Sequence, residues 1–157
     1  MKLLFPILLL LFSIKLSDVP VPKQGVYFKV SKVIDGDTFH AQISYSDVIS
    51  VRLTGIDAPE SRASQHKEVQ YFGKQSSDFL KSFLTGKYVR FEYDVTKVDR
   101  YGRLLAYVYL KDGTFVNELL VRQGYAKAYT VQPNSKYASK FVAAERYARQ
   151  NKLGLWK

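Results

Sequence analysis

The residue types best suited to chemistry stand at one predicted strand end, where Arg52 is followed by Asp57 and Glu60. Apolar and polar residues alternate from residue 49 to residue 56, which predicts a half-buried strand, and Pro59 marks the turn that follows. A rigid strand end can hold two carboxylates and a guanidinium in a fixed arrangement. Because acids can bind a metal ion or move protons while a guanidinium grips an anion, the segment predicts an enzyme that acts on phosphate esters.

Two other turns supply residues of the same kinds. The Asp-Gly-Asp sequence at residues 35–37 is a common hairpin turn, but it also adds carboxylates that a neighbouring strand could bring close. Arg100 and Arg103 flank Tyr101 just before another predicted strand. A lone arginine there indicates a solvated charge, whereas two arginines around a ring suit a phosphate and a stacked base. Each signal is weak alone, and together they favour a catalytic site.

The elements that must position these residues follow from the apolar spacing. Period-two alternation predicts five strands, at residues 26–34, 38–44, 49–56, 88–95 and 103–110. Helical spacing predicts helices at residues 69–84, from a Thr114 cap to Gly124, and around residues 137–148. A helix after the third strand and helices after the fifth predict an α+β fold that is mainly β, a five-stranded OB-type barrel with about three helices.

Composition indicates one basic domain. The chain has 157 residues, of which 46% are hydrophobic, so a sizeable core can form and extensive disorder is not expected. Its formal charge of +10 favours polyanionic partners, nucleic acid first and an anionic membrane second, although a lysine-rich soluble surface gives the same count. The absence of cysteine excludes disulfides and thiolate metal sites.

The N-terminal segment is expected to direct the chain out of the cytoplasm. Residues 1–17 contain an early lysine and an apolar run of signal-peptide length, too short to cross a bilayer comfortably. No clear small-residue cleavage pattern follows, so an uncleaved membrane tether is the alternative to a secreted protein. Residues 18–24 contain two prolines and are predicted to be a linker, which leaves residues 25–157 as the folded domain.

The catalytic segments occur together with others in an order that resembles a known family. The chain is similar to the staphylococcal nuclease (thermonuclease) family from about residue 26 to residue 156. The matching segments are VIDGDT at 33–38, RL at 52–53, IDAPE at 56–60, DRYGR at 99–103, LAY at 105–107, VNE at 116–118 and LVRQG at 120–124. The resemblance implies an OB-fold barrel that hydrolyses DNA and RNA with Ca²⁺, leaving 3′-phosphate ends by cleavage of the 5′ P–O bond.

The resemblance also implies how the acids divide the work. Asp37 and Asp57 correspond to carboxylate ligands of the metal, and the backbone carbonyl of Ala58 supplies a further oxygen. Such an all-oxygen shell suits Ca²⁺. Glu60 corresponds to the group that takes or orients the proton of the attacking water. Asp35 is expected to support its turn rather than to ligate the metal.

The basic and aromatic residues acquire roles in the same way. Arg52 and Arg103 correspond to the guanidinium groups that hold the scissile phosphate and stabilise its growing charge. Arg100, Tyr101 and Tyr129 correspond to residues that bind the nucleotide.

Two departures from the family pattern concern substrate binding. Val131 stands where a second binding-loop tyrosine is expected, so base stacking is predicted to be weaker or supplied from elsewhere. The loop at residues 61–67 aligns poorly and is expected to alter the grip on the substrate. His40 and His66 lack the spacing of a zinc site, and neither is assigned a role.

Two rival functions remain open beside a monomeric nuclease with no protein partner. A noncatalytic OB-fold nucleic-acid-binding barrel fits the fold, but such a copy is expected to have lost some of the catalytic residues. Here all five are present: Asp37, Arg52, Asp57, Glu60 and Arg103. A protein that binds a membrane surface or cell wall fits the charge and the leader, yet it does not explain where the acids stand.

Overall fold

The computed structural model describes residues 19–66 and 68–157, so the predicted leader at residues 1–17 lies outside the described residues. Five strands form a closed barrel. These are β1 (Tyr27–Asp35), β2 (Thr38–Gln42), β3 (Val48–Leu53), β5 (Tyr88–Glu92) and β6 (Leu104–Leu110), in the order β1-β2-β3-β6-β5. Two short strands, β4 (Ile56–Asp57) and β7 (Lys127–Ala128), pair beside it as a separate antiparallel ribbon. The predicted mainly β, OB-type barrel is confirmed.

The core is formed by the alternate residues of these strands. Along β3, Ile49, Val51 and Leu53 point into the barrel, which leaves Ser50 and Arg52 on its outer surface. Strand β3 runs parallel to β6, with Val51 opposite Leu104. Strand β6 starts beside the last residues of β3, so Arg103, which immediately precedes β6, lies near Arg52. The strand pairing therefore brings together two arginines that are 51 positions apart in the sequence.

Three helices and a short 3₁₀ segment cover the barrel. They are α1 (Gly73–Leu84), α2 (Val116–Arg122), α3 (Ala138–Gln150) and a 3₁₀ turn at Gly154–Trp156. Phe141 of α3 packs against Tyr107 of β6, with ring centroids 6.2 Å apart, so β6 is buried on both faces. Among the described residues, no helix combines the length and the apolar character needed to cross a bilayer.

Most predicted strands differ from the structure by one to three residues at an end, as in β5, which ends at Glu92 rather than at residue 95. Three larger differences concern the helices and the third strand. Helix α1 begins at Gly73 rather than at Val69, which is exposed in the preceding loop, because Phe72 has a positive φ of 66° that interrupts the helix. The predicted Thr114 cap is wrong: the helix cap is Phe115, with no side-chain hydrogen bond. The predicted strand at residues 49–56 is split after Leu53 into β3 and β4.

The split after β3 has a steric cause that matters for the site. Gly55 has a φ of +80°, and a Cβ at this position would overlap the ring of Phe141. The chain therefore turns tightly against α3 and enters β4, where Asp57 pairs with Lys127 of β7. This turn re-aims the chain so that Asp57 comes back toward Arg52 rather than continuing along the barrel.

Candidate active site

The side chain of Arg52 lies between two of the predicted acids. Its Nη2 is 2.7 Å from Oδ1 of Asp57, and its Nη1 forms an ion pair with Oδ2 of Asp37. The two carboxyl groups are therefore neighbours, each in contact with one terminal nitrogen of the same guanidinium. Burial of Arg52 lowers its pKa, and the charge of Asp57 opposes that shift. A guanidinium still keeps its proton at any physiological pH.

The carboxylate of Asp37 is fixed by its own turn and by the segment after β4. Oδ1 accepts a hydrogen bond from Thr38 Oγ1 at 3.0 Å, and Oδ2 accepts one from the Ala58 backbone N–H at 2.8 Å. The preceding Gly36 allows this contact, because a Cβ there would lie 2.7 Å from the Cβ of Ala58 and 3.0 Å from that of Ser76 in α1. The β1–β2 turn therefore sits tightly between the second acidic segment and the first helix.

The backbone of Glu60 is held by the loop that precedes α1. Its N–H donates to Oε1 of Gln70 at 3.1 Å, and its carbonyl accepts from the Gln70 N–H at 3.0 Å. Gly73 packs directly on this carbonyl, and a Cβ at that position would overlap it. The start of α1 thus fixes the position of Glu60, a role of Gln70 and Gly73 that the sequence prediction did not include.

Arg103 is oriented by Asp99 in the turn before β6. The Arg103 Nε donates to Oδ2 of Asp99 at 2.7 Å, and its backbone N–H donates to Oδ1 at 2.9 Å. The same Oδ1 accepts the backbone N–H of Tyr101 at 2.9 Å. A carboxylate bonded to backbone groups two and four residues ahead is typical of an aspartate turn, and it aims the guanidinium as well.

These groups share one open cleft of about 330 Å³, here called the polar cleft. Its lining includes Asp35, Asp37, Thr38, His40, Ser50, Arg52, Asp57, Glu60 and Arg103. Every residue predicted to act on the scissile phosphate or the metal through its side chain is therefore on one surface. The four carboxylates of Asp35, Asp37, Asp57 and Glu60 share this lining with the two guanidinium groups of Arg52 and Arg103, and this excess of two negative charges (4 − 2) favours binding of a cation.

A second cleft, of about 490 Å³, meets the first at Arg52 and Arg103 and is here called the aromatic cleft. The predicted nucleotide-binding residues Arg100, Tyr101 and Tyr129 all line it, together with Val131. The Tyr101 and Tyr129 side chains are 67% and 56% exposed. The guanidinium carbons of Arg100 and Arg103 lie 4.8 Å and 5.3 Å from the Tyr101 ring centroid.

The walls of the aromatic cleft are tied together by hydrogen bonds. Asn134 is buried and pairs with Thr96 twice: its Oδ1 accepts the Thr96 N–H at 2.8 Å, and its Nδ2 donates to the Thr96 carbonyl at 2.7 Å. The Tyr129 N–H donates to the Gly55 carbonyl at 2.9 Å. The loop after β7 is therefore attached to the β5–β6 loop and to the turn that positions Asp57.

The donor set for a metal ion in the polar cleft consists of oxygen atoms. Within residues 19–66 and 68–157, no group of three or more His, Cys, Asp or Glu side chains forms a metal cluster. The acids come instead as the Asp37 and Asp57 pair, so any further ligands must be backbone carbonyls or water. Two carboxylates with carbonyl and water oxygens fit a hard divalent cation and do not fit zinc.

Comparison with known proteins adds independent findings. Residues 50–157 match the family described as staphylococcal nuclease homologue. The chain is 41% identical over 129 residues to a thermonuclease of Staphylococcus hyicus, covering 82% of this chain and 75% of that protein. It is 39% identical over 155 residues to a thermonuclease of Staphylococcus intermedius, covering 96% and 90%. An uncharacterized endonuclease of Escherichia coli is 37% identical over 156 residues, covering 99% and 90%.

The chain belongs to the staphylococcal nuclease homologue family. It is accordingly an enzyme, a hydrolytic nuclease. The family match includes Arg52, Asp57, Glu60 and Arg103, and it begins after Asp37, which the geometry places beside Asp57. The resemblance predicted from the sequence motifs is confirmed.

Some residues of this staphylococcal nuclease homologue were missed by the sequence prediction. Asp99 and Gln70 hold catalytic candidates, and His40 lies in the wall of the polar cleft although it was assigned no role. The aspartate four residues before Arg103 was a detectable signal, because aspartate favours such turns. His66 is exposed and does not line the polar cleft.

Proposed function

We propose that the protein is an exported, Ca²⁺-dependent nuclease that hydrolyses DNA and RNA, cleaving the 5′ P–O bond and leaving 3′-phosphate ends. The observation that carries the proposal is the convergence of Asp37 and Asp57 on one guanidinium, with Glu60 and Arg103 in the same cleft. A binding-only barrel has no need for three acids at its phosphate-gripping arginines, since these acids repel the backbone of a nucleic acid.

The Asp37 and Asp57 carboxylates, with the Ala58 carbonyl, would hold the ion. The excess negative charge and the oxygen donors favour a hard divalent cation, and the irregular surroundings suit Ca²⁺ better than Mg²⁺, which demands near-ideal octahedral geometry. When bound, such an ion polarises a phosphoryl oxygen and offsets the charge of the acids.

Glu60 is the group that accepts the proton of the attacking water. As the new bond from the water oxygen to phosphorus forms, the bond from phosphorus to the 5′ oxygen breaks. The 5′ oxygen takes a proton from solvent water to become a hydroxyl, and Glu60 returns the proton it accepted to solvent. General-base assistance of this kind contributes roughly 10²–10⁴-fold to the rate. The contacts of Gln70 and Gly73 with the Glu60 backbone fix where this residue stands in the wall of the polar cleft.

Arg52 and Arg103 bind the scissile phosphate from two sides. Arg103 uses its Nε for Asp99, so its two terminal nitrogens are directed to other acceptors, an arrangement that suits two-pronged recognition of a phosphate. Charge growing on the phosphoryl oxygens is stabilised by donors already in place, which is usually the largest catalytic contribution.

Export and the monomeric state complete the proposal. The apolar run and early lysine of residues 1–17 support secretion or periplasmic location, with a membrane tether as the form that an uncut leader would give. Sequencing the N-terminus of the secreted protein by mass spectrometry tests cleavage, and light scattering of the purified protein tests the monomer.

The central test uses fluorescent single-stranded DNA and RNA with Ca²⁺ or with a chelator. We expect cleavage that requires Ca²⁺, products with 3′-phosphate ends, and loss of cleavage in Glu60→Ser. Glu68→Ser, which removes an exposed acid from the same loop, is the matched control and should keep the parental rate. Binding of DNA without cleavage would favour the noncatalytic barrel, and indifference to DNA would favour a surface-binding protein.

A further inference from the structure

The outer surface of strands β1, β2 and β3 carries two adjacent rows of paired residues. In the first row Asp35 is paired with Thr38, and Thr38 with Arg52. In the second row Lys32 is paired with His40, and His40 with Ser50. On β2 and β3 the two rows are two positions apart, so they lie about 7 Å from each other there. On β1 Lys32 and Asp35 are three positions apart, because the pairing with β2 shifts register between Val33 and Asp35. The first row contains one acid, Asp35, and the catalytic arginine, whereas the second has no carboxylate.

The second row is part of the wall of the polar cleft. His40 and Ser50 both line it, together with Thr38 and Arg52 of the first row. Phe39, Ala41 and Val51 alternate with these residues and are buried in the barrel, so the outward direction of His40 and Ser50 is set by the core. Lys32 is exposed at the far end of the row. The cleft wall therefore extends from the acids to an imidazole and a hydroxyl, and Lys32 stands next to it as the residue paired with His40, outside the lining.

The two clefts constrain the path of a substrate strand. Both are lined by Arg52 and Arg103, so a strand whose scissile phosphate rests on these arginines has two directions in which to leave them. The aromatic cleft, with Tyr101 and Tyr129, suits the base of the nucleotide on one side. The other side of the strand must pass over the polar cleft, and beyond the acids the groups it meets there are those of the second row.

We propose that His40, Ser50 and Lys32 form a subsite for the phosphate one nucleotide removed from the scissile phosphate, on the side opposite Tyr101. This inference rests on the proposed function and names the substrate contact that extends it. The spacing of about 7 Å between the rows is comparable with the separation of neighbouring phosphates in an extended strand. Asp35, in the first row, also lines the cleft, and its Oδ1 accepts the Gly36 N–H at 2.8 Å. Because the negative charge of Asp35 repels a phosphate, the next phosphate is directed to the second row.

The test compares substrates of different length. A labelled thymidine dinucleotide, and the same dinucleotide extended by one nucleotide at its 5′ end or at its 3′ end, are cleaved by the parent enzyme, and kcat/KM is measured for each. We expect His40→Ala and Lys32→Ala to lower the preference for one of the two extensions about tenfold, which is the effect of losing a hydrogen bond to a charged group. Tyr101→Ala should lower the preference for the other extension, and His40→Lys should keep what His40→Ala loses.

Matched controls separate a subsite from a general change in charge or folding. Lys29→Ala removes the same charge from the same strand, at a position paired with Gln42, and Gln42→Ala removes the next outward residue of β2. Lys29 and Gln42 are paired one row further from Arg52 than Lys32 and His40, and both variants should keep the parental preference for length. For Lys32→Ala alone, the dependence of log(kcat/KM) on log salt should also become shallower by about one unit with the extended substrate.

The outcomes distinguish this inference from the proposed function. If the parent cleaves none of the three substrates with Ca²⁺, the proposed function fails. If the parent cleaves them all and His40→Ala lowers kcat/KM equally for every length, the subsite is overturned. It is also overturned if the two lysine variants behave alike.

Discussion

In the polar cleft the Asp37 side chain is 10% exposed and is held by a turn packed at van der Waals contact, whereas Tyr101 in the aromatic cleft is 67% exposed. The first cleft is built from backbone positions that only glycine fits, at Gly36 and Gly73. The second is built from exposed rings on loops that a few hydrogen bonds tie together. The two clefts meet at Arg52 and Arg103, yet their construction differs.

The two clefts differ in construction because their contacts with a substrate tolerate different amounts of displacement. Hydrogen bonds to a reacting group require short distances and fixed directions, so a shift of about 1 Å in a catalytic group can cost about 10²-fold in rate. A base can stack on a ring in several positions and still gain energy. We therefore expect changes in the polar cleft to reduce kcat strongly and changes in the aromatic cleft to raise KM more gently.

The largest effect is expected for Arg103→Lys. A lysine supplies one point charge and cannot both donate to Asp99, as the Arg103 Nε does, and present two nitrogens to a phosphate. We expect kcat to fall roughly 10²–10³-fold, the scale of losing a transition-state donor, while thermal unfolding is unchanged. Arg100→Lys is the control, because Arg100 lines only the aromatic cleft, and its kcat should be nearly parental. Turnover of Arg103→Lys within a few-fold of the parent would contradict the assigned role.

A slightly smaller effect is expected for Gly73→Ala. Its methyl group would overlap the carbonyl of Glu60, so the loop must shift and Glu60 with it. We expect kcat to fall about 10–100-fold with little change in KM, measured by steady-state cleavage of labelled DNA. Gly113→Ala is a control for loss of activity through destabilisation, since its Cβ meets nothing and its φ of +88° adds a backbone strain that Gly73 does not carry. Equal losses of kcat in both variants would show that general destabilisation, not the position of Glu60, is responsible.

A compensating substitution tests whether Gly36 is required because of its close contact with Ala58. Gly36→Ala places a methyl group 2.7 Å from the Cβ of Ala58, so it should displace Asp37 or the Ala58 segment and lower kcat about tenfold. Adding Ala58→Gly removes that clash and should recover part of the loss. A double mutant with no recovery would place the damage at the remaining contact with Ser76 instead, which Ser76→Gly would test.

Smaller effects are expected in the aromatic cleft. Tyr101→Ala removes a ring that two guanidinium groups flank, and we expect KM for single-stranded DNA to rise about tenfold with kcat within a few-fold of the parent. Val131→Tyr tests the opposite direction: a ring restored at this exposed position should lower KM. If Tyr101→Ala instead lowers kcat as strongly as Arg103→Lys, the contrast between the two clefts is wrong.

The smallest effect concerns stability in acid. Burial of Glu92 raises its pKa, but hydrogen bonds from Lys136 and Tyr137 outweigh this, and the net pKa is lowered. A carboxylate with a lowered folded pKa stabilises the protein above its unfolded pKa, and this contribution is lost as the pH falls through the folded value. Glu92→Gln should therefore lower Tm slightly at pH 7, by the equivalent of about 1 kcal/mol or less, and not at pH 2. A Tm difference that is equal at both pH values would contradict this ionic origin.

The fold was predictable because the core residues alternate so regularly. Phe39 and Ala41, or Ile49 and Val51, identify strands from spacing alone, and Gly86 after α1 marks where the helix must stop. Residue 69 misled the prediction, since a valine at helical spacing cannot reveal that Phe72 adopts a positive φ. The backbone breaks there so that the next glycine can pack on Glu60.

Only those residues of the candidate site that stand in family motifs could be predicted from the sequence. Asp37, Arg52, Asp57 and Arg103 stand in segments that resemble a family, whereas Gln70 was assigned by its spacing to the predicted helix at residues 69–84 and lies instead in the loop before α1. His40 shows a different limit. Its outward direction follows from its buried neighbours, but its place opposite Ser50 depends on the pairing register of β2 and β3, which the spacing within each strand does not specify.

The alternation of buried and outward-facing residues along β3 links correct folding of the protein to the correct position of Arg52. Val51 and Leu53 fill the barrel, while Ser50 and Arg52, one position away, face the substrate. A slip of one residue in pairing would drive a guanidinium into the hydrophobic interior and leave a leucine in water. A molecule that has folded at all has therefore already aimed its arginine correctly, and misassembled copies are removed by their instability rather than persisting as folded but inactive protein.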